Sequence, residues 1–240
     1  MHGLTGTPYE VRPLAAALAA RGIRARGPLL PGHGSSPETL AGSRCSDWVE
    51  AVDEEYEGLR EQHSAVFVVG LSLGGLLTLE LASRKLPEAI AVVGTPLRLR
   101  FPIPQLVPLL KHFMPMLEKT GGSDIREPAA RARHPGYKKM PLASVHELTR
   151  LQGEVAAGLE RIEAPALIAH GAHDRTANPL DAQRIHDGLG SPIREMMNCP
   201  DSAHVVPVDH DGRLLAERIA DFMVERLATS TQAEDGPGCC

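Results

Sequence analysis

The sequence lacks the features that mark membrane-spanning proteins, secreted proteins and nucleic-acid binders. It contains no apolar run of the roughly 18 residues that a membrane-spanning helix needs. Its start, Met-His-Gly-Leu-Thr-Gly, has neither the basic flank nor the apolar stretch of a secretory signal. A formal net charge of -5 disfavours a polyanionic partner such as nucleic acid. These absences favour a cytoplasmic protein.

Cysteine is also scarce, with 4 residues in a chain of 240. Cys45 and Cys199 stand apart, and the pair Cys239 and Cys240 closes the sequence, so none has the spacing of metal ligands. The segment before the terminal pair carries no basic cluster that would support a lipid anchor. We therefore expect no metal site and no stable membrane anchor, and we interpret residues 229–240 as a disordered tail.

The remaining composition is that of an ordinary globular enzyme, with 42% hydrophobic and 23% charged residues. A chain of 240 residues without an internal linker can form a single domain. Short apolar runs predict strands at residues 23–30, 65–71, 89–94, 166–170 and 193–197. Helical patterns lie between them, at 7–21, at 46–62, directly after Ser72, after Asn178-Pro179 and at 211–227. This alternation predicts an α/β fold, with a mostly parallel sheet and helices on both of its faces.

The helix predicted from Thr7 to Arg21 has a clear start. Thr7 can cap it, Pro8 suits the first helical position, and Glu10 would complete a capping box. Gly22 then ends the helix, so residues 23–30 can form the next strand.

The stretch from 96 to 140 breaks the alternation of strands and helices, because it is rich in proline. We interpret residues 96–140 as a cap inserted over the sheet, with 1–95 and 141–228 forming the core. Leucines and methionines between Leu106 and Leu117 suggest an apolar pocket for an acyl chain. The alternative is that these side chains only pack the cap onto the sheet.

The candidate nucleophile is Ser72, which lies in Gly70-Leu71-Ser72-Leu73-Gly74. This matches Gly-x-Ser-x-Gly, a pattern in which small neighbours permit a strained turn that holds the serine hydroxyl above a sheet. A predicted strand precedes the motif and a predicted helix follows it, as that turn requires. A serine that only caps the helix is the alternative, but such a turn would not need glycine on both sides.

A serine hydroxyl is a weak nucleophile, so it needs a base and a carboxylate that orients the base. Asp174 follows the predicted strand 166–170, and His204 follows the last predicted strand, so both would lie at carboxyl ends of strands. The alternatives are an ordinary surface acid and a solvated loop histidine. His170 and His173 are too near Asp174 in sequence for Asp174 to orient them, and we interpret His33 as a residue that fixes its own loop.

Acyl transfer also needs hydrogen-bond donors for the developing oxyanion, usually backbone amides. The amide of Leu73 follows the nucleophile at a helix N-terminus, where the helix dipole favours negative charge. The amide of Leu4 would supply the second donor, with His2 and Gly3 shaping the loop. An ordinary glycine turn is the alternative for this segment.

With these residues in place, the sequence resembles the bacterial carboxylesterase and monoacylglycerol lipase family of α/β-hydrolases, from His2 to about Leu227. The matching segments are His-Gly-Leu-Thr-Gly-Thr-Pro, Pro-Gly-His-Gly, Asp47-Trp48, Gly-Leu-Ser-Leu-Gly-Gly, Asp174, Asn178-Pro179 and Ser202-Ala203-His204-Val205. The resemblance implies the α/β-hydrolase fold, with Ser72, Asp174 and His204 as the catalytic triad and Leu4 and Leu73 as oxyanion donors. It also implies that strands ahead of His2 are missing from this sequence, which would leave Leu4 poorly anchored.

The expected activity is hydrolysis of a carboxylic ester through an acyl-enzyme. Monoacylglycerols or medium-chain esters are the expected small-molecule substrates, which suggests a role in lipid metabolism. No metal or organic cofactor is implied, and no feature indicates an oligomeric state. Thioester hydrolysis, peptide hydrolysis and cofactor-free perhydrolysis remain open on the same scaffold, as does a truncated, catalytically silent form. Serine at position 72 disfavours the enzymes that use an aspartate nucleophile.

Overall fold

A computed structural model describes residues 1–234. Within that range the strands are β1 (Phe67–Leu71), β2 (Ala89–Val93), β3 (Met116–Glu118), β4 (Lys139–Pro141), β5 (Ala166–Gly171) and β6 (Arg194–Cys199). The α-helices are α1 (Arg12–Ala20), α2 (Pro37–Ala41), α3 (Cys45–Arg60), α4 (Leu73–Ala82), α5 (Ile103–Phe113), α6 (Pro128–Arg133), α7 (Leu142–Gly158), α8 (Leu180–Gly188) and α9 (Gly212–Glu234). Short 3-10 helices cover Pro8–Val11, Leu159–Arg161 and Val206–Val208.

The central sheet is parallel and has the strand order β1-β2-β5-β6. Every residue of β2 and of β5 is buried, because helices cover both faces of the sheet. One face carries α3, α4, α7 and α8 around Trp48, and the other carries α1 and α9 around Phe222. The predicted α/β architecture is confirmed.

The strand predicted at residues 23–30 does not form. A strand needs a neighbour whose backbone groups complete its ladder. Here a groove of about 460 Å³ separates residues 23–27 from β1, with Phe67 and Val69 on its opposite side. The predicted strand is therefore wrong, because residues 23–30 pair with neither sheet of the described residues.

The predicted first helix is divided into a 3-10 turn, Pro8–Val11, and the α-helix α1. Thr7 caps the turn as expected, accepting a hydrogen bond from the amide of Tyr9. The predicted capping box is wrong, because the Glu10 carboxylate accepts hydrogen bonds from the Gly3 amide and from His134 instead. The side chain turns toward the loop before the helix.

Between β2 and α7 the chain forms α5, α6 and the antiparallel pair of β3 with β4. Much of the apolar surface of this segment is exposed. Its large exposed side chains are Phe101, Ile103, Leu106, Leu109, Leu110, Phe113, Met114 and Leu117. The exposed part of these side chains does not contribute to packing the segment onto the core. The division of the chain at residues 96 and 140 into a core and a cap stays a prediction, and we use the word cap for residues 96–140.

The last helix extends to Glu234, past the predicted end at 227. No glycine or proline interrupts the sequence before Gly236, so nothing local ends the helix earlier. The predicted disordered tail, residues 229–240, is therefore wrong for residues 229–234, which are helical. Residues 235–240 lie outside the described residues. Among the helices that the structure describes, none is both long and apolar enough to cross a membrane.

Candidate active site

Ser72 lies in a sharp turn between β1 and α4, with a positive φ of 56°. Such a conformation is strained for a residue with a side chain. The turn is closed so tightly that a β-carbon at Gly70 would lie 2.0 Å from the carbonyl oxygen of Gly74. Ser72 precedes α4 but its side chain does not cap that helix. The hydroxyl is therefore left available for another partner.

That partner is His204, whose Nε2 lies 2.9 Å from Ser72 Oγ. On the other side of the imidazole, Nδ1 lies 2.8 Å from Asp174 Oδ2. All three side chains are buried, and they follow β1, β5 and β6 in the chain. The structure thus brings the three predicted residues together, in the arrangement in which a histidine can take a proton from serine while a carboxylate holds its other nitrogen.

The Asp174 carboxylate is held in place by several donors. Its Oδ1 accepts hydrogen bonds from the amides of Thr176 and Ala177, at 2.8 and 2.7 Å. Burial alone would raise the pKa of Asp174, but the neighbouring His204 and His170 bring it well below its ordinary value. The group is therefore ionised. Burial opposes a charge on His204, yet the facing carboxylate raises the pKa of this imidazole above 6.5.

His170 is a neighbour of Asp174 that sequence reasoning set aside. Its Nε2 lies 2.9 Å from Asp174 Oδ2, and both side chains are buried. His170 stands at the end of β5, four positions before the acid, so the turn that follows the strand returns Asp174 to it. Closeness in sequence excluded His170 as the general base but did not exclude it as a second contact of the carboxylate.

Asp124 is a residue of the cap that sequence reasoning missed. Its carboxylate accepts hydrogen bonds from the amides of Arg175 and Thr176, beside Asp174. Its carbonyl oxygen accepts from the amides of His204 and Val205. One cap residue thus ties together the loop of the acid and the loop of the base. Nothing in the sequence around residue 124 distinguishes it from a surface acid.

The loop with Leu4 is anchored to the nucleophile turn by its own backbone. The carbonyl oxygen of Met1 accepts from the Leu71 amide at 3.0 Å, and that of His2 accepts from the Gly74 amide at 3.1 Å. His2 adds a side-chain contact, with Nε2 accepting from the Leu30 amide. Burial lowers the pKa of His2 to about 4, so the ring is neutral and can accept. The expectation that Leu4 is poorly anchored is wrong, because bonds to β1, α4 and Leu30 hold its loop.

The amides of Leu4 and Leu73 belong to residues near the nucleophile, because Gly3, which precedes Leu4, lies beside Ser72 and Leu73 directly follows Ser72. Within residues 1–234 neither amide donates to a protein acceptor. The Leu73 amide has no acceptor because Leu73 is the first residue of α4, and the first amides of a helix lack partners within it. Both predicted donors are thus free to bind an oxygen atom of a substrate.

Glu10 and His134 form a buried pair behind the same loop. Glu10 Oε2 accepts from the Gly3 amide at 2.8 Å, and Oε1 lies 2.9 Å from His134 Nε2. The second ring nitrogen of His134 lies 2.7 Å from Ser123 Oγ. Burial opposes the charge on Glu10, but the bond from His134 and the Gly3 amide together lower the pKa of this carboxyl. Neither residue was predicted from the sequence as part of the site.

His33 behaves as a residue that fixes its loop. Its Nδ1 lies within hydrogen-bond distance of the carbonyl oxygens of Leu30 and Pro31. Its ring also contacts His2 edge-on, with the centroids 4.8 Å apart. It has no hydrogen bond to Ser72, Asp174 or His204.

Ser72 and His204 open into a cavity of about 610 Å³ between the core and the cap. One part of its wall is apolar and includes Leu99, Met140, Val145 and Leu148. The other part is polar and includes Lys119, Arg131 and Asp124. A ligand with an apolar chain and a polar end therefore matches the two parts of the wall.

Comparison with known proteins gives the same picture of fold and family. A sequence profile of the family described as Serine aminopeptidase, S33, matches residues 1–211. A thermostable monoacylglycerol lipase of Bacillus sp. (strain H-257) is 35% identical over 227 residues, covering 94% of this chain and 89% of the relative. A carboxylesterase of Bacillus subtilis (strain 168) is 25% identical over 226 residues, covering 93% and 90%.

Among solved structures, one from work on the metagenome-derived lipolytic enzymes LipS and LipT aligns with a TM-score of 0.88. It is 29% identical in sequence, and the alignment covers 93% of this chain and 91% of that one. The similarity extends over nearly the whole of both chains, so it includes the cap as well as the sheet.

Proposed function

The chain belongs to the serine aminopeptidase S33 family of α/β-hydrolases, and we propose that it hydrolyses carboxylic esters through an acyl-enzyme formed on Ser72. Its similarity to a monoacylglycerol lipase and a carboxylesterase makes it a carboxylic ester hydrolase. The observation that carries the proposed mechanism is the chain of hydrogen bonds from Ser72 through His204 to Asp174.

In this mechanism His204 Nε2 takes the proton of Ser72 as its Oγ attacks the ester carbonyl carbon. The carbonyl oxygen gains negative charge and is stabilised by the free amides of Leu4 and Leu73. The C–O bond to the alcohol then breaks, and His204 returns the proton to the leaving alcohol. Water then attacks the carbonyl carbon of the acyl-enzyme while His204 takes a proton from it. The bond from the acyl carbon to Ser72 Oγ breaks, His204 returns the proton to Ser72, and the acid is released. Asp174 keeps the imidazole in the tautomer that can accept at Nε2.

The substrate class follows from the wall of the cavity. Leu99, Met140, Val145 and Leu148 offer an apolar surface to an acyl chain, and the polar part of the wall suits a hydroxylated alcohol. We therefore assign monoacylglycerols or other medium-chain esters as substrates.

Aminopeptidase activity, which the family description names, is the second candidate. An enzyme that binds a free peptide N-terminus needs a carboxylate for the ammonium group. Three carboxylates line the cavity, those of Glu10, Glu118 and Asp124, and backbone amides already occupy Glu10 and Asp124. The same cavity holds the cationic side chains of Lys119 and Arg131. These charges favour an ester over a peptide with a free amino group.

The decisive variant is Ser72→Ala. Removing the nucleophile of a serine hydrolase lowers kcat by about a millionfold, so hydrolysis of p-nitrophenyl butyrate should fall to background. Ser83→Ala is the matched control. Ser83 lies just after α4, and its hydroxyl donates only to the carbonyl oxygen of Glu80. Wild-type activity in Ser72→Ala would sink the proposal, as would a folded wild-type protein that a fluorophosphonate probe does not label.

The reaction class needs a separate measurement. Comparing kcat/KM for an ester, a thioester and an anilide of the same acyl group ranks the three chemistries on one site. We expect the ester to lead. An anilide preference with an unblocked amino-acid acyl group would favour the aminopeptidase.

A further inference from the structure

Thr5, the residue after the proposed oxyanion donor Leu4, has a left-handed backbone with a φ of 67°. It is 1% exposed. This conformation is unfavourable for a β-branched residue, so it persists only where surrounding contacts impose it. Thr5 directly follows Leu4, so the backbone of Thr5 fixes the carboxyl side of Leu4, one peptide unit away from the Leu4 amide.

The contacts that hold Thr5 come from the cap. The ammonium group of Lys119 donates a hydrogen bond to Thr5 Oγ1. The amide of Tyr137 donates to the Thr5 carbonyl oxygen at 3.0 Å. Lys119 directly follows β3 and Tyr137 closely precedes β4, and the Lys119 amide bonds the Lys138 carbonyl oxygen to continue that ribbon. Both strands of one ribbon, at the same end of it, therefore hold Thr5 through its side chain and its backbone.

Lys119 is an unusual residue for a purely structural contact. It lines the cavity of Ser72, and within residues 1–234 its ammonium forms no salt bridge with a carboxylate. Burial lowers the pKa of this group. A half-buried cation without a carboxylate partner costs folding free energy, and a neutral side chain could fill the same space.

We propose that Lys119 is a positioning residue of the ester hydrolase, and that the cap ribbon completes the oxyanion hole by holding Thr5 in its left-handed conformation. The inference rests on the proposed role of the Leu4 amide. In this arrangement the cap contributes to the chemical step as well as to substrate binding. Displacing only the ribbon of β3 and β4 from the loop would leave the hydrogen bonds among Ser72, His204 and Asp174 in place and misdirect one oxyanion donor.

The test compares Lys119→Met with Lys119→Arg and with Lys138→Met. Methionine keeps an unbranched side chain that is one atom shorter but removes the donor, whereas arginine retains a cationic donor. Lys138 is an exposed cation on the same ribbon and serves as the matched control. The measurements are kcat and KM for p-nitrophenyl butyrate, the inhibition constant of an alkyl boronic acid and the thermal midpoint. The boronate forms a tetrahedral adduct on serine and places an oxygen where the oxyanion develops.

We expect Lys119→Met to lower kcat by about tenfold to a hundredfold, less than the loss of a whole oxyanion donor. KM should change by less than about twofold, because the contact matters in the transition state. The inhibition constant of the boronate should rise by the same factor by which kcat falls. Lys119→Arg should recover most of the activity, and Lys138→Met should match the wild type.

Thr5→Val approaches the same contact from the other side, since it removes the acceptor oxygen. If the two residues act through one bond, the double variant should be no worse than the poorer single variant. An unchanged kcat in folded Lys119→Met, or a raised KM at constant kcat, overturns the inference. The latter result would mean that Lys119 binds substrate directly. If Ser72→Ala is inactive while Lys119→Met is unaffected, the proposed function stands and only the positioning role fails.

Discussion

The two walls of the cavity are built in different ways. The core wall places Ser72, Asp174 and His204 after three strands of a sheet whose central strands are buried throughout. The cap wall contributes Lys119, Asp124 and His134, while its helix α5 buries only Val107. The core thus supplies the proposed reacting groups from a rigid frame, and the lightly packed cap supplies residues that hold the loops around them. Variants in the two walls should therefore fail in different ways.

The largest effect in the core wall, after loss of the nucleophile, is expected for Asp174→Asn. The amide cannot stabilise the imidazolium, and it favours the wrong tautomer of His204. A comparable change in another serine hydrolase costs about 10⁴ in kcat, which corresponds to about 5 kcal/mol of transition-state stabilisation. Steady-state kinetics with p-nitrophenyl butyrate measure this loss.

The same variant should change the pH profile. Only neutral His204 can accept a proton, so wild-type kcat/KM should fall as the pH drops through the raised pKa of His204. Removing the negative charge of Asp174 removes the main cause of the raised pKa of His204, so the acidic limb of the profile should move to lower pH. Asp187→Asn, which alters an exposed carboxylate on α8, is the control. An acidic limb that stays in place in Asp174→Asn would contradict the assigned partnership.

The next effect concerns the packing of the core wall rather than its chemistry. Leu77 lies on α4, the helix that begins directly after Ser72, and it is 0% exposed. Leu77→Ala leaves a cavity that the close-packed surroundings fill only in part, so the free energy of unfolding should fall by about 2 to 5 kcal/mol. Urea denaturation measures it. A loss below about 1 kcal/mol would mean that the core wall is not the rigid frame described above.

The proximity of Ser72, Asp174 and His204 could be predicted from the sequence because the signals of these residues are local. Gly70 to Gly74 are consecutive, and Asp174 and His204 lie in the loops that follow β5 and β6. The carboxyl ends of parallel strands meet at one edge of the sheet, so three local patterns were enough to bring the residues together. The sheet that carries them follows from the same runs.

The cap wall could not be predicted in this way, because its contacts join residues that are far apart in the chain. Lys119 is 114 positions from Thr5, and His134 is 124 positions from Glu10. No periodic pattern reports such a pair, and Glu10 had a plausible local role in a capping box. The strand predicted at 23–30 failed for a related reason, since its apolar pattern says nothing about whether another strand lies beside it.

The smallest effect separates two residues of one cap helix. Val107 and Leu109 are both apolar residues of α5, but Val107 is 3% exposed and packs near Leu142 and Val145, whereas Leu109 is 60% exposed. Val107→Ala removes buried carbon worth about 1.5 kcal/mol, at roughly 0.8 kcal/mol for each buried methylene. Leu109→Ala removes carbon that is already largely in water, so the free energy of unfolding should change by no more than about 0.5 kcal/mol. Urea denaturation of the two variants under identical conditions tests the difference directly. Equal losses would mean that the exposed face of α5 is covered in solution, and the contrast between a packed core wall and a lightly packed cap would no longer hold.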